Sequence, residues 1–202
     1  MILNISLQMR YPVTHKDDTR ARIVTSASRR FRRDGPERTA IGDLMRDLRL
    51  THGGFYRHFR DKDELFGEAL AQAMREVSLR LERVALSASA DRRAGAIIDA
   101  YLSAAHCTDA AGGCPIAALA SELGRARRSL RGSSFDAAGR EHLGRMARYL
   151  PGVSAEARLR TARVLFSGMA GTLAVSRTLA DSSHRKELLA EARKFYRSAI
   201  GL

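Results

Sequence analysis

Apolar residues recur along this chain at three- and four-residue intervals almost from end to end, with no sustained two-residue alternation of a half-buried strand. Ile23, Ala27 and Phe31 share one helical face, closed off by Asp34-Gly35-Pro36, and Asp17 and Asp18 mark where that first helix would begin. A second amphipathic helix follows on Ile41, Leu44, Met45 and Leu48, with Thr39 as its N-cap. Thr51 caps a short third helix whose Phe55 and Phe59 lie one turn apart and face inward. Asp61 and Glu64 form an Asp-x-x-Glu capping box. From it a long helix runs through Leu65, Phe66, Ala69, Leu70, Met74, Val77 and Leu81 to about Leu86.

Composition changes at Ser87-Ala-Ser-Ala-Asp91. Beyond it the periodicity predicts helices over about 92–106, from Pro115 to about Arg128, and over about 134–149, 154–180 and 184–200. The expected fold is all-α, with about nine helices. A three-helix helix-turn-helix unit covers 17–66, its connecting helix continuing to about 86, and a larger helical unit covers 87–202. Residues 1–16 read as an extension, with 1–8 expected to be disordered and Met9 looking more like a natural start. The last two helices carry apolar stripes that call for a partner. Leu165, Gly168, Thr172, Leu188, Phe195 and Tyr196 are the expected homodimer contacts.

The stretch from Thr39 to Asp63 holds the most specific chemistry. Two short helices joined by a tight turn are how a small helical unit presents one helix to the DNA major groove while its neighbours hold phosphates. Gly53-Gly54 costs roughly 1 kcal/mol per glycine in a helix, which suggests close backbone approach to another molecule. Thr51 and His52 lie at the helix start, the end that usually meets base edges. Tyr56, Arg57, His58 and Lys62 can donate to phosphate. Arg29, Arg30, Arg32 and Arg33 crowd the first helix, where a solvated face is the default expectation.

Charge agrees with a polyanionic partner without locating it. The 202-residue chain has 35 Lys and Arg against 22 Asp and Glu, a net +13, and nearly all the cations are Arg. Residues 1–66 hold 14 of these cations and 9 acids, and residues 67–202 hold 21 and 13, so the excess is spread over both units. No apolar run reaches the roughly 18 residues of a membrane span, and Met1–Arg10 lacks the basic lead of a secretory signal. With two cysteines and no disulfide framework, the expected location is cytoplasmic.

Residues 19–70 resemble the N-terminal domain of the TetR/AcrR family of transcriptional regulators. The resemblance is carried by TRARIVTSASRRF, TAIGDLMRDL and LTHGGFYRHFRDKDELF, in the family's order and spacing, and most strongly by Phe-Tyr-x-His-Phe-x-x-Lys at 55–62. It implies a homodimer on a double-stranded, palindromic DNA operator, usually repressing, released when a small-molecule effector enters the C-terminal core. By the same resemblance Thr39 is a phosphate contact, Thr51, His52 and Gly53 face bases, and Tyr56, His58 and Lys62 form a phosphate clamp. Arg49 departs from the pattern, because the family commonly has Gly in that turn.

Gly-Gly-Cys-Pro at 112–115 is a second signal, with Cys107 upstream. A thiol at a helix N-terminus is a candidate for a lowered pKa, so a redox or electrophile sensor using Cys114 and Cys107 stands as an alternative, against small buried hydrophobes that pack the loop. His106 and two cysteines fall short of a metal site, and no cofactor is expected. Neither a phosphate loop nor a Gly-x-Ser-x-Gly elbow is present, so an enzyme is not expected. An Arg-rich RNA-binding or adaptor protein would need aromatics on a basic surface, whereas the aromatics here fall on apolar stripes. Candidate effector-pocket residues are Tyr101, Leu119, Phe135, Met146, Phe166, Met169 and Leu173.

Overall fold

The computed structural model describes residues 13–126 and 133–202. Of the extension expected over 1–16, residues 1–12 lie outside them, including the stretch 1–8 expected to be disordered, and so does the end of the Pro115 helix at Arg128. Residues 13–16 are not an extension but the first turn of a helix. All regular structure among the described residues is helical. Helix α1 spans Val13–Asp34, α2 Ile41–Asp47, and a 3-10 helix covers His52–Arg57. Then come α3 (Lys62–Ser87), α4 (Arg93–Tyr101), α5 (Ala104–Thr108) and α6 (Pro115–Arg125). The chain ends with α7 (Ser134–Ala147), α8 (Ala155–Thr178) and α9 (Ser182–Ala199).

Helix α3 is the spine. Its first turns place Leu65, Phe66, Ala69 and Leu70 against Ile23, Ala27 and Phe31 of α1, Leu44 and Met45 of α2, and Phe55 and Phe59. The Phe31 and Phe66 rings meet edge to face at 5.2 Å, while Phe55 and Phe59 stack at 5.5 Å. From Ala71 onward the same helix packs into a second core, where Met74, Val77 and Leu81 meet Ile97, Ile98, Met169 and Leu173. The two cores therefore meet within α3, and α6 bridges them: Leu119 enters the first core while Ile116 and Ala117 pack on the second. Leu119 is where α6 kinks, at φ −135°.

Several expectations shift by local hydrogen bonding. Helix α1 begins at Val13, so Asp17 and Asp18 lie beyond its first turn. Thr39 does not cap α2. The N-cap position is Ala40, and the Thr39 hydroxyl donates instead to the Gly35 carbonyl at 2.8 Å. The capping-box pair is offset. Asp61 accepts from the Glu64 amide at 2.8 Å, while the Glu64 carboxylate returns to the amide of Arg60 rather than Asp61. The helix expected over 92–106 breaks in two because Ser103 accepts from the His106 amide and starts α5 afresh.

Candidate nucleic-acid interface

The turn between α2 and the 3-10 helix is built on Arg49, the one non-glycine residue with positive φ (58°) among the described residues. The Arg49 amide donates to the Arg46 carbonyl at 2.9 Å and the Leu50 amide to Met45 at 2.8 Å, the paired bonds of a Schellman ending. A left-handed residue with a Cβ costs about 1 kcal/mol. Those two bonds offset it, together with Arg22 of α1, which donates to the Leu48 carbonyl at 3.2 Å. No DNA contact by Arg49 is needed to explain the turn.

The following segment is a 3-10 helix rather than the expected α-helix, capped by Thr51, whose Oγ1 accepts from the Gly54 amide at 3.2 Å. Three residues per turn put Phe55 inward and Tyr56 outward, with Tyr56 65% exposed. Thr51, His52, Gly53 and Arg57 share this exposure, and the His52 and Tyr56 rings lie 6.1 Å apart. A Cβ on Gly53 would meet nothing within 4 Å, so no contact inside the chain requires glycine there. A Cβ on Gly54 would press on Thr51 Oγ1 at 3.2 Å, so this glycine serves the cap.

Lys62 is half-buried at the first position of α3. His58 is half-buried too, and its Nδ1 meets no partner among the described residues. Burial, with Lys16, Arg20 and Arg57 nearby, holds its imidazole below the usual histidine pKa, so near neutrality it is an uncharged ring. Arg20 sets the whole face. It ion-pairs with Glu68, approaches Glu64 at 3.6 Å and lies 4.5 Å over the Phe59 ring. It also donates to the His58 carbonyl at 3.4 Å. Thr39 takes no part. It is 2% exposed with its hydroxyl spent on Gly35, which rules against a side-chain phosphate contact.

Residues 23–69 match the family model described as bacterial regulatory proteins, tetR family. Over 51 residues the chain is 37% identical to the HTH-type transcriptional regulator AcrR of Shigella flexneri, a match spanning 25% of this chain and 24% of that protein. At full length, the chain is similar to a TetR transcriptional regulator from Chloroflexus aurantiacus, with 26% identity, TM-score 0.65, and coverage of 91% and 96% of the two chains. Residues 23–69 of this chain thus form a tetR-type segment. A second regulator, from Pectobacterium atrosepticum, shares the fold at TM-score 0.69 and 19% identity, covering 95% of this chain and 99% of its own.

The attachment of the tetR-type N-terminal segment to the helices that follow it is explicit in this chain. Arg32, expected on a solvated face, is instead buried with its side chain at 0% exposure. Its Nη1 donates to the Gly113 carbonyl at 2.7 Å, its Nε to the Ser28 carbonyl at 3.0 Å, and Nη2 lies 3.4 Å from Glu76. Burial lowers its pKa from the ordinary arginine value, with Glu76 opposing. Arg80 donates to the Gly112 carbonyl at 3.2 Å, and Arg177 to the carbonyls of Cys107 (3.0 Å) and His106 (3.1 Å). His106 closes the loop, its Nδ1 on the Tyr101 carbonyl (2.7 Å) and its Nε2 accepting from the Cys114 amide (3.1 Å). Burial pushes its pKa down to about 4, so the neutral tautomer that these bonds require is the native one. Three arginines from α1, α3 and α8 thus grip the Asp109–Cys114 loop through its main chain and its neighbours. Sequence spacing gave no signal of this, because a buried arginine on an Arg-rich helix looks like any other.

The same loop disposes of the thiol alternative. Cys114 is fully buried, and burial raises its thiol pKa more than the α6 amides and the Tyr101 hydroxyl lower it, the reverse of the depression expected at a helix N-terminus. Cys107 is 3% exposed and both are free thiols. Neither is placed for reaction with a solvent-borne oxidant.

The effector candidates divide. Phe135 and Phe166 line a groove of about 830 Å³ between α6, α7 and α8. Tyr101, Leu119, Met146, Met169 and Leu173 are buried among packed side chains and do not line it. The dimer candidates also divide. Leu165 is core, and Gly168, Thr172 and Tyr196 join α8 to α9 within the chain: a Cβ at Gly168 would sit 2.7 Å from the Tyr196 hydroxyl, which lies 3.1 Å from Thr172 Oγ1. Leu188 is half-buried, whereas Phe195 stands out at 67% exposure. Val164 (76%) and Val175 (55%), three turns apart on one side of α8, are exposed apolar residues; the periodicity places Val175 on the apolar stripe but does not single out Val164.

Proposed function

We propose that the chain is a sequence-specific DNA-binding transcriptional regulator that works as a homodimer, represses from a palindromic operator, and leaves DNA when a small molecule occupies its C-terminal unit. The observation that carries the reading is the outward face of the 3-10 helix. Thr51, His52, Gly53, Tyr56 and Arg57 are exposed together over a rigid aromatic underside, within the segment that matches the tetR family. In this reading Thr51, His52 and Gly53 approach base edges, the open side of Gly53 giving the DNA its closest access to main chain. Tyr56, Arg57, His58 and Lys62 hold phosphates, His58 as a neutral donor.

Dimerisation falls to the outer faces of α8 and α9, where Val164, Val175 and Phe195 are exposed. An effector seated in the C-terminal unit shifts DNA affinity only by favouring one arrangement of the two units over another. The Arg32–Gly113 bond is the direct mechanical link through which that preference reaches α1. Among the fold relatives, RolR is described in complex with the ligand resorcinol at TM-score 0.54, which supports an effector of small-molecule size.

Selection of bound duplexes from random DNA tests the reading. Expected is a single two-fold symmetric consensus, with affinity falling steeply as salt rises. Lys62→Ala is expected to lower the magnitude of the log–log salt slope by about 1 for each phosphate that the lysine neutralises, without relaxing the consensus. Absence of any selected consensus refutes the proposal.

A further inference from the structure

On the side of α7 away from the groove lie two small cavities, of about 10 Å³ and about 40 Å³, both lined by Ser78 of α3 and by His142 and Arg145 of α7. His142 is 2% exposed, and neither ring nitrogen has a hydrogen-bond partner among the described residues; the Ser78 hydroxyl, 6% exposed, has none either. Buried polar groups in folded proteins are paired as a rule, and each exception calls for a reason. Here two exceptions line the same cavities. The neighbouring charges offer no relief, because Glu82 is already engaged by Arg145, by Arg148 at 3.6 Å and by the Tyr149 hydroxyl at 3.4 Å. Burial alone holds the His142 pKa down to about 4, so the ring is neutral and can both donate and accept.

The cavities are large enough for a water or a hydroxyl group, and too small for a whole ligand. A body for that hydroxyl has a place next door. The Phe166 ring meets His142 edge on at 4.6 Å, and Phe166 also forms part of the wall of the 830 Å³ groove, whose lining includes the apolar side chains Ile116, Leu123, Phe135 and Leu143. The charges at the groove, Asp136 and Arg140, pair with each other at 2.6 Å. Among the described residues that line it, no unpaired charge is on hand to hold an ionised ligand.

We propose that His142 and Ser78 form the recognition end of the effector site, taking the hydroxyl of a compact, neutral, mainly apolar molecule whose body lies in the groove, with Phe166 as the side chain that moves aside to join the two. The inference deepens the effector-release reading and rests on it for its biological meaning, but not for its test. Ring-nitrogen NMR of the histidines in the free protein, titrated with phenol and in parallel with toluene, reads binding without DNA. Phenol is expected to shift the His142 resonances and to bind about tenfold more tightly than toluene, the worth of one net hydrogen bond. His142→Leu is expected to raise the Tm of the unliganded protein by a few degrees and to remove the preference for phenol. Ser78→Ala serves as the milder second variant and is expected to weaken that preference with the fold intact. Equal affinity for phenol and toluene in the unaltered protein, or unmoved His142 resonances, overturns the inference. So does a lowered Tm in His142→Leu, which would mean that the fold itself satisfies the ring. Operator affinity is measured separately on the same samples: if phenol binds at His142 and DNA affinity is unchanged, the site stands and effector release falls.

Discussion

Replacing Arg32 by Met keeps an unbranched apolar stem and removes the guanidinium fork. In the native protein this guanidinium has a 2.7 Å bond to the Gly113 carbonyl, bonds to Ser28, and a longer contact to the half-exposed Glu76. The charge-assisted bond to a buried carbonyl is worth about 1.5–3 kcal/mol, and its loss leaves the carbonyl unpaired. The Glu76 contact adds at most about 1 kcal/mol, being screened. Relief of burying a cation works in the opposite direction, so the net expectation is a loss of about 2 kcal/mol. For a chain of this size that is about 4–8 °C in Tm. Thermal unfolding followed by circular dichroism measures it, with Arg33→Met as the control: Arg33 is exposed, pairs only with its neighbour Asp34 among the described residues, and is expected to show no shift. Arg32→Lys recovers only part of the loss, because an ammonium lacks the guanidinium's planar fork of donors. If the link also carries the effector signal, Arg32→Met retains operator binding but responds less to effector. A Tm for Arg32→Met within about 1 °C of the Arg33→Met control would refute the account of Arg32 as a structural joint.

Two glycines separate folding from DNA binding. Gly113→Ala would set a Cβ 2.6 Å from the Asp109 carbonyl oxygen, so it is expected to destabilise by about 2 kcal/mol or more. Gly53→Ala meets nothing in the chain and is expected to leave Tm unchanged while weakening operator binding at least tenfold; thermal melts and gel shifts on the pair check this. Acid stability follows from His106 and His142, both held at about 4 by burial against an ordinary 6.5. The unfolded chain takes up their protons first, so stability is full above pH 6.5 and falls as pH drops from there to 4, by up to about 3 kcal/mol for each. Denaturant titrations across that range check it, and His142→Leu should flatten the dependence by about one proton. Iodoacetamide at neutral pH is expected to leave Cys107 and Cys114 unmodified until the protein is unfolded, as mass spectrometry would report; rapid labelling of the native protein would revive the thiol sensor.

The helical architecture was legible because it is written in periodicity, and the short helix after the turn because Gly53-Gly54, Thr51 and two inward phenylalanines are local signals. Thr39 misled because a threonine before an apolar run reads as a cap, whereas its hydroxyl is taken by the carbonyl four residues earlier. Gly168, Thr172 and Tyr196 illustrate a different limit. A small or apolar residue on a helix faces some partner, and periodicity cannot say whether that partner is the next helix of the same chain or another copy. The joint around Gly113 was illegible altogether, since its donors and acceptors are 32 to 81 residues apart.

Because Arg32, Arg80 and Arg177 hold the loop by its carbonyl oxygens, most loop side chains are bystanders to the docking of the two units. The information for that docking resides in three distant basic codons and in the need for glycine at 113. Loop residues such as Ala110 and Ala111 can diverge without disturbing the junction, and grafting the loop alone into another helical protein would not transplant it.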